Sequence, residues 1–219
     1  MRQSFLSFDC ASKSLGVAFF SFNLSYKDDI KLILQSDLNK INKLIKIHNI
    51  LKSVIDIYYL DVIDICPNVK INDIDIIERS SLFKIAINKI NKIVNETILK
   101  KEIELIHVYI ERQPTFNIKS TTIFSQLIYE YAANSMFKIK LMYPMLKNKI
   151  YFNEKLKHSE FISNSNNAYK ANKNHTKSNF LYFINKFNLT HHIAHIKAKN
   201  LDDIADAFLQ VLTDIKHLI

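Results

Sequence analysis

Glycine is nearly missing from this chain: Gly16 is the one glycine in 219 residues. Loops that cradle phosphate need glycine, because the backbone must come close to the anion. A P-loop, a dinucleotide fingerprint and a kinase glycine loop are therefore excluded, and no nucleotide cofactor is expected. Cysteine is scarce as well. Cys10 and Cys66 are too few for a disulfide framework or a zinc cluster, which suits a reducing compartment. No uncharged apolar stretch reaches the roughly 18 residues that a membrane span needs. Asp9 interrupts the N-terminal apolar stretch before a signal-peptide core can form, so an intracellular protein is expected.

What remains is a chain rich in Ile, Asn, Lys and Phe, a bias that fits AT-rich coding. Its hydrophobic fraction of 48% is enough for a folded core and argues against global disorder. The net charge is +9, and its placement is uneven. Lys138 to Lys199 carries twelve lysines against Glu154 and Glu160, whereas the rest of the chain is close to neutral. Concentrated positive charge suits a surface that faces phosphates. A basic, solvated loop is the plainer alternative.

Residues 4–9 read as a strand ending on an acid, and 15–23 as a second strand paired to it through a short turn. Residues 24–80 are harder to assign. Ile30–Leu34 and Ile55–Ile65 each have strand character, and 39–53 looks amphipathic. A helix is predicted from Ser80 to about Lys101, with apolar positions at Leu82, Ile85, Ala86, Ile90, Ile93 and Val94. Residues 105–111 form a β-rich run that again ends on an acid. A helix from about Thr121 to Met136 and a strand from Phe137 to Tyr143, stopped by Pro144, follow. Residues 145–175 are polar and read as a mobile basic segment. Helices are then predicted over Thr176–Phe187 and Leu201–Leu218, the latter with Asn200 as N-cap and Asp202 and Asp203 in its first turn. This order implies a single domain over residues 1–219, with a mixed sheet, an initial antiparallel hairpin and flanking helices.

Acids stand out in three separated places. Asp9 and Glu111 each end a strand, where an acid is commonplace. Asp203 and Asp206 lie three apart, hence about 60° apart on one helical face. Ile204, Ala205, Ala207, Phe208 and Leu209 surround them, so the pair sits in a packing face, where a cation would relieve the repulsion. Asp202 is a rival to Asp203, because 202 and 206 also share a face. In the plainer reading, Asp202 and Asp203 only complement the helix dipole. Several carboxylates converging from different elements are what a pair of Mg²⁺ or Mn²⁺ ions needs for phosphodiester hydrolysis.

Three blocks resemble the RuvC-type Holliday-junction resolvases, and most closely the poxvirus branch of that RNase H-like superfamily. They are Phe8-Asp-Cys-Ala-Ser-Lys-Ser-Leu-Gly16, Tyr109-Ile-Glu-Arg-Gln-Pro114 and Lys199-Asn-Leu-Asp-Asp-Ile-Ala-Asp-Ala-Phe208. Tyr169-Lys-Ala-Asn-Lys-Asn-His-Thr-Lys177 is similar to the basic segment of the same family. The likeness covers residues 1–23 and about 105–217, with Ala11 standing where the family has a glycine. It implies that Asp9, Glu111, Asp203 and Asp206 are catalytic metal ligands for two Mg²⁺, with Mn²⁺ able to substitute. Arg112, Lys170, Lys173 and Lys177 would then be DNA phosphate contacts. Phe116 would be either a wedge at the branch point or a core residue. The implied partners are branched DNA and a second copy of the chain, in a viral setting in the host cytoplasm or at a viral replication site.

Three alternatives stay open at this point. The start from Asp9 to Ala18 also fits the actin and sugar-kinase ATPases, which need glycine-rich segments that are absent here. An RNase H-fold nuclease acting on RNA–DNA hybrid or flap would share the fold and the metals. A non-catalytic nucleic-acid-binding protein would use the basic region alone.

Overall fold

Strand β1 (Arg2–Cys10) is buried from Ser4 to its end, because both of its faces are covered. Side chains alternate across a strand, and here the alternation sorts two cores. Phe5 points into one core with Ala18, Phe20, Phe22 and Tyr109, while Leu6, Phe8, Val17 and Phe19 point into the other. The computed structural model describes residues 2–11, 13–23, 55–67, 73–113, 118–152, 154–164 and 167–216, with single positions at 25 and 36. The expected strand at 30–34, the expected helix at 39–53 and Phe116 lie outside the described residues.

Strand β2 (Ser14–Asn23) runs antiparallel to β1, with Asp9 opposite Gly16. Strand β3 (Ile55–Asp64) adds antiparallel to the outer edge of β2, with a register shift at Phe19/Phe20. On the other side of β1, β4 (Ile106–Glu111) and β5 (Phe137–Met142) pair parallel, giving the order β3-β2-β1-β4-β5. This is the expected mixed sheet with an antiparallel hairpin at its start, and the predicted strands at 4–9, 15–23, 55–65, 105–111 and 137–143 match its five strands to within about two residues at each end.

Helix α1 (Ile76–Lys101) begins one turn before the predicted Ser80. Asp75 supplies the reason: its side chain accepts from the backbone N–H of Ile77 (2.7 Å) and Glu78 (2.8 Å), the donors left over at a helix start. Its buried stripe runs through Phe83, Ala86, Ile87, Ile90 and Val94, whereas Ile85 is exposed, so the packing face is rotated from the predicted one. Glu102 ends it in the left-handed region (φ 52°), a conformation that glycine would adopt with less strain. Helix α2 (Ile118–Ala132) is shifted towards the N-terminus relative to prediction and joins α1 on the Leu6 face.

The 145–175 region contains regular structure, contrary to the mobile loop expected there. A 3₁₀ turn at Pro144–Lys149 and another at Glu154–Leu156 lead into α3 (His158–Ser163) and the start of α4 (Ala168–Lys186). The helix predicted over Thr176–Phe187 is the second half of α4; polar composition concealed its start, because the first turns expose Tyr169 and Lys170 while Asn167 caps them through Tyr169 N–H (2.9 Å) and Lys170 N–H (3.3 Å). The buried residues include Ala171, His175, Thr176 and Asn179, which hydropathy does not mark. A 3₁₀ turn at Ala198–Asn200 runs directly into α5 (Leu201–Lys216), whose apolar face packs with α4 on the Phe5 side of the sheet. Phe208 touches the rings of Phe20, Phe180 and Phe183, and burying such a side chain contributes about 1.5–3 kcal/mol. No described helix is long and apolar enough to cross a membrane.

Candidate metal centre

Strand parity places the first two acids. Phe5, Ser7 and Asp9 share one face of β1, and Tyr109 and Glu111 share the same face of β4. The parallel register sets Phe8 beside Ile110, so Asp9 and Glu111 stand side by side at the C-terminal ends of adjacent strands. Helix α5 covers that face and contributes Asp206. Asp9, Glu111 and Asp206 are 7%, 7% and 3% exposed, and one carboxylate oxygen from each lies within 4.8 Å of the other two.

The approach of α5 depends on Gly16. This residue lies opposite Asp9 on β2, and a Cβ there would sit 2.3 Å from the backbone carbonyl oxygen of Asp203 and 2.6 Å from its carbon. The helix therefore rests directly on the strand backbone. Ser14, two residues away on the same face, donates its hydroxyl to Asp203 Oδ2 at 2.8 Å. Deeper along the helix, buried Gln210 donates to Ser7 Oγ (2.5 Å) and to the Phe8 carbonyl (3.0 Å). Together these contacts hold α5 in register with the end of β1.

Two lysines neutralise part of the cluster. Lys147, from the 3₁₀ turn after β5, is buried and places Nζ 3.0 Å from Glu111 Oε2 and 2.7 Å from Asp206 Oδ2. Lys173, on α4, donates to Asp206 Oδ2 at 3.0 Å and lies 3.8 Å from Asp203 Oδ1. Burial opposes the charge on both lysines, but Asp206 and its neighbouring acids outweigh it and hold both ammoniums above the ordinary lysine range. Burial raises the Asp9 carboxyl well above the usual carboxylate range, and Glu111 and Asp206 push it the same way against the two lysines. A divalent cation would reverse that bias, since it favours the ionised acid. Asp206 Oδ1 is buried with no hydrogen-bond partner among the described residues. A buried carboxylate oxygen without a donor, inside a set of hard oxygen ligands, fits Mg²⁺ or Mn²⁺.

The residues singled out in sequence thus have distinct places. Asp9, Glu111 and Asp206 come together, and Asp203 lines the same cleft of about 480 Å³ just outside the 4.8 Å group. Asp202 points elsewhere, 3.7 Å from Lys177. Arg112 is exposed and stacks on Tyr143, 4.4 Å from the ring centre, while donating to its hydroxyl at 3.0 Å. Lys170 is exposed on the first turn of α4. Lys177 reaches the Ala198 carbonyl at 3.1 Å. Lys173, expected as a phosphate contact, is engaged with Asp206 and Asp203 in this structure. Lys147 and Ser14 had no sequence signal. Lys147 lies in a polar stretch without periodicity, and nothing local marks it as buried.

A five-stranded mixed sheet in this order, with helices on both faces and acids gathered at one end, is the α/β architecture expected from the sequence for an RNase H-like fold. No protein-family model matches the chain, and no curated protein matches it. Among solved structures it is similar to the Fowlpox virus resolvase in complex with substrate Holliday junction DNA. The identity is 15% over 99% of both chains, with a TM-score of 0.48.

Proposed function

We propose that the protein is a metal-dependent, structure-selective endonuclease that cuts four-way DNA junctions, in recombination or in resolving viral genome concatemers. The observation that carries the nuclease reading is the convergence of Asp9, Glu111 and Asp206 from three separate elements, with one buried oxygen of Asp206 unpartnered among the described residues. These residues, with Asp203 beside them, would hold Mg²⁺ or Mn²⁺, two per site on this reading. Bound divalent ions activate water for attack on phosphorus and offset charge on the phosphodiester oxygens.

The chain's own groups do the rest. Ser14 fixes one oxygen of Asp203, and Lys173 orients Asp206 by donating to its Oδ2. Arg112, held over the Tyr143 ring beside the Glu111 strand end, presents its guanidinium to a DNA phosphate. The junction as substrate, and a homodimer making paired nicks, are supported by the three sequence blocks around Asp9, Glu111 and Asp203–Asp206.

The test is cleavage of a four-way junction, an RNA–DNA hybrid and a plain duplex side by side, with and without Mg²⁺. The junction should be cut only with metal. Asp9→Asn, Glu111→Gln and Asp206→Asn should each abolish cleavage while retaining junction binding. Cutting of the hybrid with the junction left intact would replace the substrate. Binding of all three with no cleavage would leave a non-catalytic DNA-binding protein.

A further inference from the structure

Lys147 has an unusual position for a lysine. It is 9% exposed, with its ammonium among carboxylates that are themselves buried, and it arrives on a short turn whose Pro144 start and buried Ile150 end fix it to the body of the protein. Its Nζ touches two of the three acids directly, at 2.7 and 3.0 Å, and sits close enough to Asp9 to favour its ionised form. An ammonium at hydrogen-bond distance from Glu111 Oε2 and Asp206 Oδ2 stands where a divalent ion sharing those oxygens would stand. Mg²⁺ needs its oxygens at about 2.0–2.1 Å, and two cations on the same oxygens repel.

Charge balance points the same way. When ionised, Asp9, Glu111, Asp203 and Asp206 carry four negative charges, and Lys147 and Lys173 return two of them. The remainder equals one divalent ion. Among the described residues, Asp206 Oδ1 is a fully buried acceptor without a hydrogen-bond partner, on the carboxylate whose other oxygen already takes both lysines.

We propose that Lys147 is a built-in cation that fills one of the two cation positions of this cluster, so that the DNA-free protein takes up one divalent ion. The second position opens only when the ammonium withdraws, and a phosphodiester entering the cleft gives that ammonium another anion to pair with. The inference rests on the metal-binding reading of the acids.

Both can be tested by counting Mn²⁺ bound per full-length chain at pH 8 without DNA, by equilibrium dialysis with electron paramagnetic resonance of the free ion. The expected counts are one for the unaltered protein and two for Lys147→Met, with Lys147→Gln giving the same. Thermal melting gives a second readout. Without metal, Lys147→Met should melt below the unaltered protein, and Mn²⁺ should raise its melting temperature by more than it raises that of the unaltered protein. If Lys147→Met folds only with Mn²⁺ present, its bound count is taken after refolding with the ion. Two ions in the unaltered protein, or one in both lysine variants, would overturn the role of Lys147 and leave the metal reading standing. No bound ion in any of the proteins would overturn the metal reading itself and this inference with it.

Discussion

Gly16 illustrates how one residue can govern a site to which it contributes no functional group. Its neighbour is backbone, the Asp203 carbonyl, and backbone in the first turns of a packed helix cannot yield as a flexible side chain would. Gly16→Ala should therefore destabilise the fold by about 1–3 kcal/mol, as overpacking does, and should reduce cleavage by lifting Asp203 and Asp206 away from Asp9. Urea denaturation with a parallel junction-cleavage assay measures both. Unchanged stability would mean that α5 can retreat without loss. The two acids at the start of α5 separate in the same way. Asp203 faces the cleft with Ser14 on one oxygen, whereas Asp202 makes a long, part-exposed contact with Lys177. Asp203→Asn should eliminate cleavage with little change in melting temperature. Asp202→Asn should retain cleavage and lose at most about 1 kcal/mol. An exchange of these phenotypes would place the ligand one residue earlier.

At the scale of elements, α4 links the basic region to the acids, and its packing makes it pH-sensitive. His175 is fully buried on α4, with its ring 5.0 Å from that of His158 and 5.4 Å from that of Phe161. Burial, reinforced by His158, lowers its pKa to about 4, so it is neutral in the fold. Between about 6.5 and 4 the unfolded chain binds a proton at this position that the folded chain does not. Its contribution to stability is therefore complete above about pH 6.5 and is lost as pH falls towards 4, with a slope of at most about 1.4 kcal/mol per pH unit. Asp9 acts in the opposite sense, because its raised pKa favours the folded state at low pH. Denaturation series at several pH values on the unaltered protein and on His175→Gln isolate the histidine. The variant should have a shallower loss of stability on acidification, and identical slopes would show that the ring is not the source.

Across the whole molecule, the lysine excess of residues 138–199 divides into two parts. Lys147 and Lys173 are turned inward onto carboxylates, and Lys140 pairs with Asp214. Lys170 is exposed on the first turn of the helix that carries Lys173. DNA binding should therefore depend on fewer phosphate contacts than the lysine count suggests. Lys170→Ala should weaken junction binding and reduce the slope of log affinity against log salt by about 0.9, measured by fluorescence anisotropy over a salt series. An unchanged slope would put Lys170 away from the DNA.

The sequence by itself determined the order of the described strands and of the helices other than α3, and three of the acids. A strand run ending on an acid, and two acids three apart in an apolar helix, are local patterns set by periods of 2 and 3.6 residues. Helix boundaries were less legible wherever a cap set them: Asp75 and Asn167 start helices through side-chain bonds that hydropathy does not register. Only the tertiary structure decided which of Asp202 and Asp203 faces the cleft, since both satisfy helical spacing and the choice depends on how α5 is rotated against Gly16 and Ser14. It also decided the fate of the lysines. A lysine in a polar stretch looks the same in sequence whether its ammonium meets water or a carboxylate. What places Lys147 among Glu111 and Asp206 is the return of the chain after β5 across the ends of β1 and β4, a long-range contact that no local pattern encodes.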